Sequence, residues 1–331
     1  MRATWHERAT MFPTASMLFE KLPRMLRRHR LMTAWMKLTG EPELQLVRVR
    51  DNSFAYADLS DGFLRLIVID GHFEEDFFRI ADALLASGGV FFDVGANYGL
   101  LSFGLAGRYG ERIDFHLFEP NTVLVDAIKR SKALYPAMRC TVTGVAVSDR
   151  EGLVSFLIND AQTGVSHVLT EDSIEQGGKL VKAPCVVLDK YFETVAINRV
   201  DLLKIDIEGH ELKALRGAAR ALESRRIQAV YFEYFEKWLR RVQPPEELLA
   251  FLQSHDYQVC ICRKDDFEAR GGASHTIAAG LPGHGLPLLP IGQNQAPEMT
   301  DLLAIPAENL VKCEDVPWPI SDEYAAKHRV R

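Results

Sequence analysis

Residues 89–99 read Gly-Val-Phe-Phe-Asp-Val-Gly-Ala-Asn-Tyr-Gly, an apolar run closed by an acid and then by small residues. No other stretch narrows the choice of folds as far. Val90, Phe91 and Phe92 predict a strand buried on both faces, and the amphipathic stretch 100–109 predicts a helix after it. Gly95 and Gly99 let the intervening backbone turn tightly and approach a ligand where a Cβ would collide. A strand, a two-glycine turn and a helix are by themselves only a turn. The next segment adds weight: residues 113–118 form a second apolar run ending in Glu119, at roughly the twenty-residue offset from Asp93 where a carboxylate binds ribose hydroxyls.

The rest of the chain alternates. Residues 74–86 have helical periodicity and stop at Gly88-Gly89. Strands follow at 90–94, 113–118, 140–147, 201–206 and 227–232, with helices at 98–108, 122–134, 210–223 and 245–255. Such alternation predicts an α/β fold with a doubly wound parallel sheet covered on both faces. Residues 151–188 interrupt it as an inserted β-hairpin, with strands at 153–158 and 183–188, and 257–262 with 302–305 supply a last antiparallel pair. The Gly- and Pro-rich connector 270–298 is expected as a flexible loop. The domain reading is an N-terminal cap over 1–64, helical to about 45 with a β-meander from 47 to 69, a main domain over 65–312 and a tail over 313–331.

Composition excludes several classes. A chain of 331 residues, 47% apolar and 25% charged, can bury a sizeable core. A net charge of −6 gives no general pull toward phosphate backbones, so no nucleic-acid partner is expected. The five cysteines, at 140, 185, 260, 262 and 313, include no C-x-x-C pair and read as reduced core thiols. No apolar stretch reaches bilayer-spanning length and no secretory leader is evident, so the expectation is a cytoplasmic protein. In residues 17–37, Arg24, Arg27, Arg28 and Arg30 interleave with Leu18, Phe19, Leu22 and Leu26. That pattern reads as a basic helix packed on the domain, with an anionic membrane surface as the alternative partner. The cap's apolar face offers a homodimer contact.

The second chemistry-bearing cluster is residues 200–211, Val-Asp-Leu-Leu-Lys-Ile-Asp-Ile-Glu-Gly-His-Glu, a buried strand running into acids, a glycine and a histidine before a helix. Open α/β sheets bind ligands beyond the carboxyl ends of their strands, which is where Asp206, Glu208 and His210 fall. With Asp93, Glu119 and Glu233, acids close four strands. The glycine spacing departs from G-x-G-x-x-G, and Asp93 would face a pyrophosphate unfavourably while suiting a ligand with an amino group. S-adenosylmethionine is therefore expected over NAD, an NAD-dependent oxidoreductase being the alternative. His210 is the candidate general base, for its unperturbed pKa near 6.5 suits proton removal at neutral pH. Its alternatives are a helix cap, with Glu208 or Glu233 as base. Asp206, Glu208 and Glu233 together offer oxygen ligands to a divalent metal, although none is expected. Tyr234, Phe235, Trp238 and Arg240-Arg241 read either as an acceptor wall or as a core-plus-surface helix.

Five motifs in order, Asp93-Val-Gly-Ala-Asn-Tyr-Gly99, Phe118-Glu-Pro-Asn121, Gly144-Val-Ala-Val-Ser-Asp149, Val187-Leu-Asp189 and Lys204-Ile-Asp-Ile-Glu-Gly-His-Glu211, resemble the FkbM family of S-adenosylmethionine-dependent methyltransferases. The likeness spans roughly 65–310 and includes a small-residue stretch at Thr163-Gly164-Val165-Ser166. It implies a class I methyltransferase, Rossmann-like, with seven strands and the last reversed. It further implies methyl transfer to an oxygen, usually a hydroxyl of a saccharide or secondary metabolite. Carried over by residue, Asp93, Gly95, Asn97, Tyr98 and Gly99 would line the cofactor's methionine end, and Glu119 would hold the ribose hydroxyls. Asn121 and Ser148 would lie near the ribose and adenine, and Asp206 close to the sulfonium. A non-catalytic binding module on the same fold is the remaining alternative.

Overall fold

In the computed structural model the described residues are 31, 32, 34, 38, 44–62, 64, 73–159, 166–168, 178–263, 265, 266, 270, 273–292 and 295–312. The segments 17–37 and 313–331 fall almost wholly outside them. The core grows from strand β3 (Gly89–Val94), whose side chains alternate between two apolar layers. Phe91 packs into one layer and Phe92 into the other, both fully buried. That two-sided burial explains the unbroken apolar run.

β3 pairs in parallel with β4 (Ile113–Phe118) on one side and β10 (Leu202–Ile205) on the other, with Asp93 level with Lys204. Outward lie β5 (Arg139–Thr143) beside β4, and β11 (Val230–Phe235) beside β10. β15 (Met299–Pro306) runs antiparallel to both β11 and β12 (Tyr257–Ile261). The helices α1 (Glu75–Leu85), α2 (Leu100–Tyr109) and α3 (Thr122–Lys132) cover the Phe91 face. The Phe92 face is covered by α4 (Leu188–Thr194), α5 (Glu211–Arg216), α6 (Ala219–Glu223) and α8 (Pro245–Ser254), α7 being the short Glu236–Leu239 turn. No helix among the described residues is long and apolar enough to cross a membrane. Cys140, Cys185, Cys260 and Cys262 are free thiols.

Several expectations need correction. Among the described residues the sheet has eight strands, not seven, because β14 (Leu289–Pro290) adds to β12 at the edge. It belongs to the connector 270–298, which also carries β13 (His275–Ile277), paired with β16 (Leu310–Lys312). Leu286, Leu288 and Ile291 bury here, and that apolar anchoring holds the connector on the domain. The strand expected at 140–147 ends at Thr143; β6 (Ala146–Val147) leaves for another sheet. The helix expected at 210–223 breaks at Gly217, where a Cβ would stand 2.2 Å from the Ser148 carbonyl oxygen. The inserted hairpin is larger than expected. β7 (Gly152–Ile158) and β9 (Lys179–Val186) are its arms, and β6 and β8 (His167–Val168) complete a four-stranded sheet. The described residues of the cap include one hairpin, β1 (Leu44–Arg50) with β2 (Ser53–Asp58), held to α2 by a hydrogen bond from Ser53 Oγ to the Gly104 carbonyl.

Candidate active site

At the carboxyl ends of β3, β4 and β10 opens a cleft, the place where open α/β sheets take their ligands. Its walls differ in chemistry. Apolar lining comes from Phe118 and Val145 and, from the inserted sheet, Ala146, Val147, Phe156 and Val168. Gly95, Asn97, Glu119, Asp206, Ile207 and Glu208 line the rest together with Ser166.

The turn after β3 is held by backbone. Gly95 and Ala96 both donate to the Phe118 carbonyl at 3.0 Å, and at Gly95 (φ 75°) a Cβ would meet the Asp206 carbonyl oxygen at 2.0 Å. Asn97 also takes a left-handed conformation (φ 53°), which aims its N–H at Glu119 Oε2, 2.8 Å away. Glu119 Oε1 accepts the Asn121 N–H at 2.9 Å. Burial pushes the Glu119 carboxyl up to about 7, against the pull of these two donors. Asn121 itself caps α3, its Oδ1 accepting the Val123 N–H at 3.1 Å. Gly99 caps α2, and Tyr98 is buried in the layer beneath the N-terminal hairpin. Asn121, Tyr98 and Gly99 are absent from the cleft wall.

Asp93 is absent from it too. It is 1% exposed, its Oδ2 accepts from Ser102 Oγ at 2.7 Å, and its Oδ1 lies 3.4 Å from Lys204 Nζ. Direct contact with a cofactor ammonium, the reason for singling it out, is not what this geometry offers. Lys204 is the residue that sequence reasoning missed. Its buried ammonium donates to the Gly95 carbonyl at 2.8 Å and stands 3.5 Å from Asp206 Oδ2, so one cation ties β3, the glycine turn and the end of β10 together. These anions raise its pKa although burial opposes them. A signal was present: a lysine inside the apolar run 202–205 must find an anion on a neighbouring strand.

His210 also departs from expectation. It is 3% exposed, and its Nε2 is 3.1 Å from Ser148 Oγ, itself buried. Burial drives its pKa down to about 4. It occupies the N-cap position of α5 without a side-chain capping bond, and neither it nor Ser148 lines the cleft. Removed from the cleft and locked to a buried hydroxyl, His210 is poorly placed to take a proton from a substrate. The groups that converge are acids: one oxygen each of Asp206, Glu208 and Glu233 lie within 4.8 Å of one another. Burial first, then the neighbouring acids, raises the pKa of Glu208 and Glu233. Beyond the cleft wall, Trp238 is covered by His167 (ring centroids 5.1 Å apart) and by the Arg241 guanidinium (3.9 Å).

Residues 93–259, half of the chain, match the family described as Methyltransferase FkbM domain. No curated protein sequence matches. Among solved structures, an S-adenosylmethionine-dependent O-methyltransferase from Thermotoga maritima is 11% identical, with 80% of this chain and 77% of that one covered at a TM-score of 0.37. A precorrin-6y C5,15-methyltransferase from Geobacter metallireducens is 10% identical, covering 70% and 87%, at 0.36. A protein described as a tRNA (m1A22) methyltransferase from Streptococcus pneumoniae, in complex with S-adenosyl-L-methionine, is 12% identical, covering 71% and 73%, at 0.35. Likenesses this distant carry no inference about substrate. The family match over residues 93–259 does decide membership: this chain belongs to the FkbM methyltransferase family.

Proposed function

We propose that the chain is an S-adenosylmethionine-dependent O-methyltransferase whose acceptor is a hydroxyl of a saccharide or secondary metabolite. One observation carries the reading: a single cleft is lined by apolar side chains, the buried carboxylate of Glu119 and the acids Asp206 and Glu208, the chemistry that an adenine, a ribose and a cationic sulfur call for. The residues present fit that group. Glu119, already held by two backbone N–H groups, keeps acceptor capacity for ribose hydroxyls, and Phe156, Val147 and Val168 would flank the base. When bound, the cofactor supplies an electrophilic methyl on a positively charged sulfur. Asp206, its side chain 44% exposed on the cleft wall, gives that charge a counter-ion, while Lys204 fixes the carboxylate's position. The hydroxyl proton must leave the reacting oxygen; Glu208, on the cleft wall, would accept it once a neighbouring positive charge holds its carboxyl ionised against the burial that raises its pKa. Alignment of the acceptor accounts for the rest of the catalysis.

Incubation of the protein with methyl-labelled S-adenosylmethionine and a panel of hydroxylated saccharides tests this. A labelled methyl ether is the expected product. Cofactor binding with no turnover on any hydroxyl acceptor would leave a binding module instead.

A further inference from the structure

Glu208 and Glu233 stand out because neither forms an ion pair among the described residues. Lys204 lies 3.4 Å from Asp93 and 3.5 Å from Asp206, and no lysine or arginine among the described residues forms an ion pair with Glu208, Glu233 or Glu211. Three carboxylates thus bring oxygens within 4.8 Å of one another with Lys204 at their margin. Around one hard divalent ion, with oxygens at about 2.0–2.6 Å, ligand oxygens fall within about 5 Å of each other. The observed grouping meets that requirement.

A second observation comes from beneath the cluster. Glu211 is 1% exposed, and its Oε1 accepts the N–H groups of Ile207 and Gly209 at 3.1 Å each, so the carboxylate sits under the Glu208 peptide. Its Oε2 is buried with no hydrogen-bond partner. A buried carboxylate oxygen without a partner is costly unless a positive charge stands nearby.

We propose that Asp206, Glu208 and Glu233 form the binding site of one divalent cation of the hard, oxygen-preferring class, such as Mg²⁺, Mn²⁺ or Ca²⁺, with Glu211 supporting it from below. The ion restores charge balance to the cluster. Three carboxylates leave coordination positions for water or for oxygens of an acceptor, so the site adjoins the place where the proposed reaction puts its hydroxyl. The ion's binding does not depend on the cofactor reading, and the two are separable by experiment.

The test uses the full-length protein, treated with a chelator and dialysed, with no cofactor present. Titration with Mn²⁺, followed by the paramagnetic resonance signal of the free ion, should show one saturable site that Mg²⁺ displaces. Glu208→Gln and Glu233→Gln should each weaken it at least tenfold, and Glu247→Gln, in an exposed pair with Arg216, should not. The amide variants keep the shape of the site and remove repulsion, so their unfolding temperatures without metal should match or exceed the wild type's. Should a variant fail to fold, Mn²⁺-induced broadening of the amide resonances of residues 206–211 and 233 in the wild-type protein decides the same question. Absence of saturable Mn²⁺ binding, equal binding by the Glu208→Gln/Glu233→Gln double variant, or no broadening at these residues overturns the site. S-adenosylhomocysteine titrated into the metal-free protein reports on the cofactor reading separately.

Discussion

Glu119 shows how a single side chain couples folding, ligand and pH. Its carboxyl, ordinarily near 4.5, sits at about 7 in the fold because burial disfavours the charge. A group whose folded pKa is raised contributes stability that is fully present below its unfolded pKa and is lost as pH rises through the folded one. The unfolding temperature of wild type relative to Glu119→Gln should therefore fall between pH 5 and pH 8. A ligand that donates hydroxyl hydrogens to the carboxylate favours its charged form, so affinity for S-adenosylhomocysteine should rise about tenfold from pH 6 to pH 8. In Glu119→Gln calorimetry should find weaker binding with no such slope. Gly95 makes a different prediction. With φ at 75° and the Asp206 carbonyl oxygen 2.0 Å from where a Cβ would be, Gly95→Ala should cost at least about 2 kcal/mol in denaturant unfolding. Gly144→Ala, whose Cβ would find its nearest neighbour at 3.8 Å, should change stability by less than about 1 kcal/mol.

Among the elements, β3 and β10 are the pair on which the site depends, and their join is ionic. Asp93→Ala leaves the Lys204 ammonium buried with one anion fewer, a loss of about 3–5 kcal/mol, whereas Asp93→Asn combined with Lys204→Met should recover much of it. Chemical denaturation of the single and double variants measures the difference. This level also marks what the sequence could disclose. Apolar runs ending in acids made β3, β4 and β10 legible, since two-sided burial leaves an unmistakable pattern at 90–94 and 113–118. The Asp93–Lys204 contact joins residues 111 apart, and the closure of Ser148 on His210 joins residues 62 apart. Neither follows from local periodicity, so Asp93 read as a ligand contact and His210 as a base. Both are interior groups with partners in the protein. The break at Gly217 escaped for the same reason: its cause is the Ser148 backbone crossing there.

For the whole molecule, the consequential feature is that the inserted four-stranded sheet and the main sheet share one cleft. Phe156 is 6% exposed, packs in the small core of the insertion and lines that cleft. If this wall flanks an adenine, Phe156→Ala should weaken S-adenosylhomocysteine binding about ten- to a hundredfold through lost apolar contact. The main domain's large cores do not include Phe156, so its amide exchange should be little changed. The central claim is that this shared cleft, with Glu119 on its wall, takes an adenosyl cofactor bearing a sulfur and not a dinucleotide. Isothermal titration of the purified protein with S-adenosylhomocysteine, and separately with NADH, tests it most directly. The account predicts stoichiometric, saturable heat with the first that is lost in Glu119→Ala, and none with the second. No heat with S-adenosylhomocysteine, or binding that Glu119→Ala leaves untouched, would contradict it.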